Sequence, residues 1–128
     1  MNPLLKKAVE ARENSYSPYS KFAVGAALET VDGEIFTGCN VENASYGLSI
    51  CAERTALVKA VSAGARKFKR LAIVADTPEA VTPCGMCRQM LIEFSPGLEL
   101  ILANTKGKTE KINLSELLPK AFQLTRQV

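Results

Sequence analysis

Three cysteines and one glutamate supply the residues in this chain that could do chemistry. Cys51-Ala52-Glu53 sets a carboxylate two positions after a thiol, and Pro83-Cys84-Gly85-Met86-Cys87 adds two more thiols as a Cys-X-X-Cys pair. Three thiolates can hold one zinc ion and leave a fourth coordination position for water, which separates a catalytic zinc from a closed structural one. Such a ligand set carries net negative charge, so bound water is acidified less than over neutral ligands and compensation is needed. Arg54, adjacent to Glu53, is the available cation, and helix N-termini supply the rest. Glu53 then has the task of moving protons among water, substrate and leaving group. The chain contains no histidine, so proton transfer near neutral pH falls to a carboxylate, a thiol or a lysine.

Two plainer readings stand beside this one. A folding zinc of the four-cysteine kind, completed by Cys39, would make the protein a zinc-stabilised binding module without turnover. The single Cys-X-X-Cys and the long gap from Cys51 to Cys84 count against it, and Cys39 reads instead as a buried small apolar residue. Taken alone, Glu53 is a first-turn acid that complements a helix dipole; its offset from Cys51 is what gives it more to do.

The elements that must position these groups follow from local pattern. Asn2-Pro3 ahead of Leu4, Leu5, Ala8, Val9 and Ala11 predicts a first helix to about Glu13. A loop over 14–20 leads to an apolar run, 22–28, read as a strand, and Asp32-Gly33 joins it to a second strand over 34–39 as a hairpin. A polar stretch delivers the chain to a helix over 51–61, stopped by Gly64, with Cys51 and Glu53 in its first turn. A strand over 71–75, a loop, a helix from Pro83 to Phe94, and strands over 98–103 and 108–114 complete the pattern. Strands alternating with helices after a hairpin imply a crossover connection and helices packed on a sheet, an α/β architecture of about five strands.

Bulk composition bounds the rest. A length of 128 residues fits one domain, 1–128, and 47% hydrophobic content is enough for a core. The net charge of +3 is small, and the four cations in Arg66–Arg70 read as a solvated loop before a strand, not a nucleic-acid footprint. With no run of about 20 apolar residues and no apolar signal region, the expectation is a cytoplasmic protein that spans no membrane. Four cysteines in such a chain suit metal or redox chemistry in a reducing compartment better than a disulfide scaffold.

Cys-Ala-Glu followed by Pro-Cys-X-X-Cys matches the zinc deaminase signature. The match extends through Pro18–Ala27, Gly38–Tyr46, Cys51–Ala56 and Leu117-Leu118-Pro119 with Phe122, and over essentially its whole length the chain resembles the short, homotetrameric cytidine deaminases. The resemblance implies a three-layer α/β/α sandwich with a mixed sheet, and hydrolysis of cytidine and 2'-deoxycytidine to uridine and 2'-deoxyuridine plus ammonia, a step of pyrimidine salvage. It implies one zinc per subunit on Cys51, Cys84 and Cys87, Glu53 as proton shuttle and Arg54 as partner of the thiolates. Asn40 and Glu42 would bond the ribose hydroxyls, Phe22 would pack against the nucleoside, and backbone groups of Ala52 and around Cys84 would read the pyrimidine edge. Phe122 would reach a neighbouring subunit's site, and Tyr46 would line the site or support its loop. A deaminase of the same fold acting on a blasticidin-type antibiotic shares the zinc motifs, but Asn40–Tyr46 argues against it. Neither a basic channel nor an aromatic ladder is present for a polynucleotide.

Overall fold

The computed structural model describes residues 2–124. Helix α1 (Pro3–Arg12) starts where expected, with Asn2 Oδ1 accepting the Leu4 N–H at 2.8 Å and Pro3 at the first helical position. Strands β1 (Val24–Thr30) and β2 (Ile35–Cys39) form an antiparallel hairpin. At its tip Gly33 takes a φ of 91°, a conformation that costs a side-chain-bearing residue energy and glycine almost nothing. Helix α2 (Ala52–Ser62), strand β3 (Phe68–Ala75), helix α3 (Gly85–Phe94), strands β4 (Glu99–Asn104) and β5 (Thr109–Asn113) and a short α4 (Leu114–Leu117) follow.

The five strands lie in the order β2-β1-β3-β4-β5, with β3 and β4 parallel and every other neighbouring pair antiparallel. A parallel pair requires a crossover, and α3 supplies it. Strand alternation then sorts the side chains. Ala27, Ala72, Val74, Ile101 and Ala103 meet Leu4, Leu5 and Ala8 of α1 on one face. Ala26, Leu28, Leu71, Ile73, Leu100 and Leu102 meet Ala56, Leu57 and Ala60 of α2 and Leu91 and Ile92 of α3 on the other. Helices on both faces of a mixed five-stranded sheet make the expected three-layer α/β/α sandwich.

Several local expectations need correction: β1 begins at Val24 rather than Phe22, and α3 at Gly85 rather than Pro83. The strand expected at Leu71 begins at Phe68, because Phe68 is buried and anchors it; Lys69 and Arg70 are therefore strand residues, not a solvated loop. Arg70 Nε lies 3.5 Å from Glu29 Oε1 across the β1–β3 pair. Strand β5 stops at Asn113 rather than Leu114, where a capping box turns the chain into α4: Asn113 Oδ1 accepts the Ser115 N–H at 3.0 Å and Glu116 Oε2 accepts the Asn113 N–H. Cys51 caps α2 instead of lying inside its first turn, a shift that matters for the site.

One glycine seats α2. A Cβ at Gly38 of β2 would lie 2.5 Å from the Ala56 nitrogen and 2.6 Å from the Ala52 carbonyl oxygen. Both are helix backbone, so Gly38→Ala must push the start of α2 off the sheet. The expected loss is roughly 1–3 kcal/mol of stability, typical of overpacking, measured by chemical denaturation. Because Ala52 adjoins Glu53, activity should fall by more than the stability loss alone predicts. A variant with unchanged denaturation midpoint and rate would contradict this.

Candidate metal centre and active site

Cys51 and Cys84 occupy equivalent places, each the capping residue at the start of a helix. Both have extended backbone (φ −71°, ψ 154° and φ −68°, ψ 165°), and neither side chain bonds the helix it caps. Their sulfurs are free to turn toward one another. Sγ of Cys51 lies 3.5 Å from Sγ of Cys84, which lies 3.2 Å from Sγ of Cys87 in the first turn of α3. All three sulfurs fall within 4.8 Å of one another. Tetrahedral zinc with bonds of about 2.3 Å needs sulfurs about 3.8 Å apart, so small shifts suffice, and the all-thiolate donor set suits zinc. Among the described residues these three make up the candidate metal-ligating cluster, and Cys39 is not part of it. Cys39 is half-buried rather than buried, because it ends β2 where the chain leaves the sheet.

The charges are distributed unevenly. Hydrogen bonding from Cys87 is the largest influence on Cys51 and pushes its thiol down to about 5; Cys84 and the Arg54 guanidinium act the same way, while burial opposes them. Donation to Cys51 and burial push the Cys87 thiol up, as does the nearby Glu53 carboxylate. Without a metal the cluster thus favours a thiolate at Cys51 with a neighbouring thiol still protonated, and a dication displaces thiol protons. Arg54 is held in place by donating Nη2–H to the Ser49 carbonyl at 2.7 Å, while its buried Nε lacks a protein partner. Glu53, the second residue of α2, is only 5% exposed. Burial is the main cause that pushes its carboxyl up to about 7, assisted by Cys51 and opposed by its own backbone N–H, by a hydrogen bond from Cys87 and by Arg54.

A cavity of about 190 Å³ opens beside these groups, lined by Cys51, Ala52, Glu53 and Cys84 together with Phe22 and Asn40. It falls below the roughly 300–1,000 Å³ usual for drug-sized ligands, so it accepts a small ring. Val24 and Ile73 from the sheet and Val81 and Thr82 from the 76–84 segment complete the lining. Sequence reasoning did not single out these four. Thr82 and Val81 could have been suspected from their place just before Pro83-Cys84, whereas Val24 and Ile73 look like any core strand residue.

The remaining expected site residues are arranged differently. Asn40 Oδ1 accepts the Val24 N–H at 2.9 Å and the Ser15 hydroxyl, and its Nδ2–H donates to the Phe22 carbonyl at 2.7 Å; the amide clasps the segment that carries Phe22. Glu42 does not line the cavity. Its carboxylate accepts the Ser20 hydroxyl and the Tyr19 and Ser20 N–H groups, and these bonds, led by the Ser20 hydroxyl, hold it below the usual carboxylate range. Ser20 Oγ in turn accepts the Phe22 N–H at 3.0 Å. Tyr46 is 78% exposed and meets Tyr19 edge-on at 6.4 Å between ring centres. Phe122 is exposed in a groove with Ile92 and Pro96 and does not line its own chain's cavity.

Comparison with known proteins places this geometry. Residues 2–101 match the family model for the cytidine and deoxycytidylate deaminase zinc-binding region. The chain is 53% identical over 120 residues to a cytidine deaminase of Sporosarcina psychrophila, covering 93% of this chain and 88% of that one. It is 43% identical over 123 residues to the Mycobacterium tuberculosis cytidine deaminase, covering 96% and 90%. The crystal structure of the Burkholderia pseudomallei cytidine deaminase superposes with a TM-score of 0.91 at 52% identity, covering 93% of this chain and 96% of that one. With a matching family model over most of its length, relatives at this identity and the same three-layer fold, the chain belongs to the cytidine and deoxycytidylate deaminase family.

Proposed function

We propose that this protein hydrolyses cytidine and 2'-deoxycytidine to uridine and 2'-deoxyuridine, releasing ammonia, as a zinc enzyme with one ion per subunit held by Cys51, Cys84 and Cys87. The observation that carries this reading is the buried Glu53 carboxyl beside the three-thiol cluster in one small cavity. Bound zinc supplies a Lewis acid that makes water nucleophilic near neutral pH. The chain's residues do the rest. Glu53 takes water's two protons in turn, passing the first to the ring nitrogen as the C4–O bond forms and the second, from the new C4 hydroxyl, to the leaving amine as the C4–N bond breaks and the C4 carbonyl forms. Arg54 offsets thiolate charge, which keeps that water acidic enough to react. Ala52 presents backbone to the pyrimidine edge, and Phe22 covers the nucleoside.

Asn40 and Glu42 select for the sugar. Free cytosine lacks the hydroxyls that would add hydrogen bonds to these side chains, and the loss of those bonds disfavours it. The readout is ultraviolet: loss of cytidine absorbance with zinc-loaded protein, abolished by a chelator, with 2'-deoxycytidine also converted and cytosine spared. No conversion of either nucleoside would overturn the reading.

The working form in this proposal is a cytoplasmic homotetramer with shared active sites, serving pyrimidine salvage. Tyr16, Tyr19, Val41, Tyr46, Leu48 and Ile50 are exposed on the segments around the cavity, and contiguous exposed apolar surface favours contact with another chain. Phe122 does not line its own chain's cavity, which supports its action on a neighbour's. Phe122→Ala should raise KM by on the order of tenfold, equivalent to about 1.4 kcal/mol, with little change in kcat. An unchanged KM would reduce the residue to tail packing.

A further inference from the structure

Arg88 follows Cys87 directly, and its guanidinium joins two segments far apart in sequence. Nε–H donates to the Pro83 carbonyl at 2.8 Å and Nη1–H donates to the Leu117 carbonyl at 2.9 Å. The first carbonyl belongs to the buried residue that precedes Cys84, and the second to the last residue of α4. Helical side chains tilt toward the helix N-terminus, so a residue one turn inside α3 can reach back to Pro83. A cation this near a helix start opposes the dipole, so helix stability does not explain its place. The neighbouring Gln89 donates Nε2–H to the Phe122 carbonyl at 2.9 Å. The start of α3, with its capping residue, thus carries two of the clustered thiols and fastens the C-terminal segment.

We propose that Arg88 is a positioning residue: its fork of donors locks the backbone before Cys84 to the C-terminal segment, so that one side chain sets both the thiol cluster and the seat of Phe122. The inference rests on the reading that the thiols hold zinc and that Phe122 serves an active site. Lysine cannot substitute fully, because its ammonium is a point donor without the guanidinium's fixed pair of N–H groups.

The test compares Arg88→Ala and Arg88→Lys with the wild-type zinc protein, well below the unfolding temperature of each. Zinc release to excess chelator should accelerate on the order of tenfold in Arg88→Ala, the scale seen when groups that support metal ligands are lost, and less in Arg88→Lys. The thiolate-to-metal and ligand-field bands of the cobalt(II)-substituted proteins should shift in the same order, and KM for cytidine should rise more than kcat falls. A lower unfolding temperature with wild-type release rate and cobalt spectrum would overturn the proposal, leaving Arg88 a simple strap. Should Arg88→Ala fail to fold, Arg88→Lys decides: wild-type release and spectrum overturn the proposal, faster release and shifted bands support it. The metal readouts need no substrate, so absence of cytidine turnover in the wild type would defeat the functional reading while still leaving Arg88 to be judged.

Discussion

Glu53→Gln is expected to keep its fold and its zinc while turnover falls by roughly 10²–10⁴-fold, the usual loss when a general acid–base is removed. The amide preserves the size and most hydrogen bonds of the carboxyl but can neither accept a proton from water nor deliver one to the ring or the leaving amine. No histidine exists in the chain to take over. The other ionisable groups that act on Glu53 are the thiols, which metal binding commits, and Arg54, which stays protonated. Stability should not suffer, because burial already disfavours the charged carboxylate at this place, and a neutral amide removes that strain. The measurements are kcat at saturating cytidine, zinc content and the denaturation midpoint of the same sample. Near-normal kcat with full zinc would sink the assignment of Glu53; loss of zinc would show instead that the side chain supports the metal site.

The second large effect concerns the metal. Removing zinc with a strong chelator should reduce turnover to background, and adding zinc back should restore it. Cys84 is exposed while Cys87 is buried, so release should be possible without global unfolding. Because an ion that binds only the native state stabilises it by about 2.7 kcal/mol at a hundredfold excess over its dissociation constant, the metal-free protein should also melt at a lower temperature. Cys39→Ser is the control, and it should leave zinc content and turnover largely unchanged, since Cys39 lies outside the sulfur cluster. A four-cysteine structural site predicts the opposite, loss of zinc in Cys39→Ser. Full activity in zinc-free protein would end the hydrolytic mechanism.

Much of the architecture was legible because its signals are local. Asn2-Pro3 begins α1, Asp32-Gly33 turns the hairpin, and the expected number of strands is found. Where the reading missed, the competing influence was tertiary. Lys69 and Arg70 look like loop residues, yet burial of Phe68 extends β3 beneath them. The turn into α4 carried an Asn-X-X-Glu capping signature at Asn113–Glu116, overshadowed by the apolar residues around it. Of the expected site residues, Cys51, Ala52, Glu53, Cys84, Phe22 and Asn40 converge on one cavity. Glu42, Tyr46 and Phe122 do not in the single chain.

The sequence alone determined the chemistry that is available: the i, i+3 spacing of Cys84 and Cys87, the two-residue offset of Glu53 from Cys51, Arg54 beside it, and helix starts at both motifs. These are properties of adjacent residues, and helical geometry turns them into directions. Only the tertiary structure decided that Cys51 meets Cys84, 33 residues away, at 3.5 Å. That meeting requires α2 and α3 to share one face of the sheet with their N-termini together, which depends on the strand order and on Gly38 letting α2 approach. The burial of Glu53, the clasp of Asn40 on Phe22 and the bridge of Arg88 to Leu117 were decided there too. Each depends on a partner supplied by a distant segment, and no pattern of neighbouring residues encodes it.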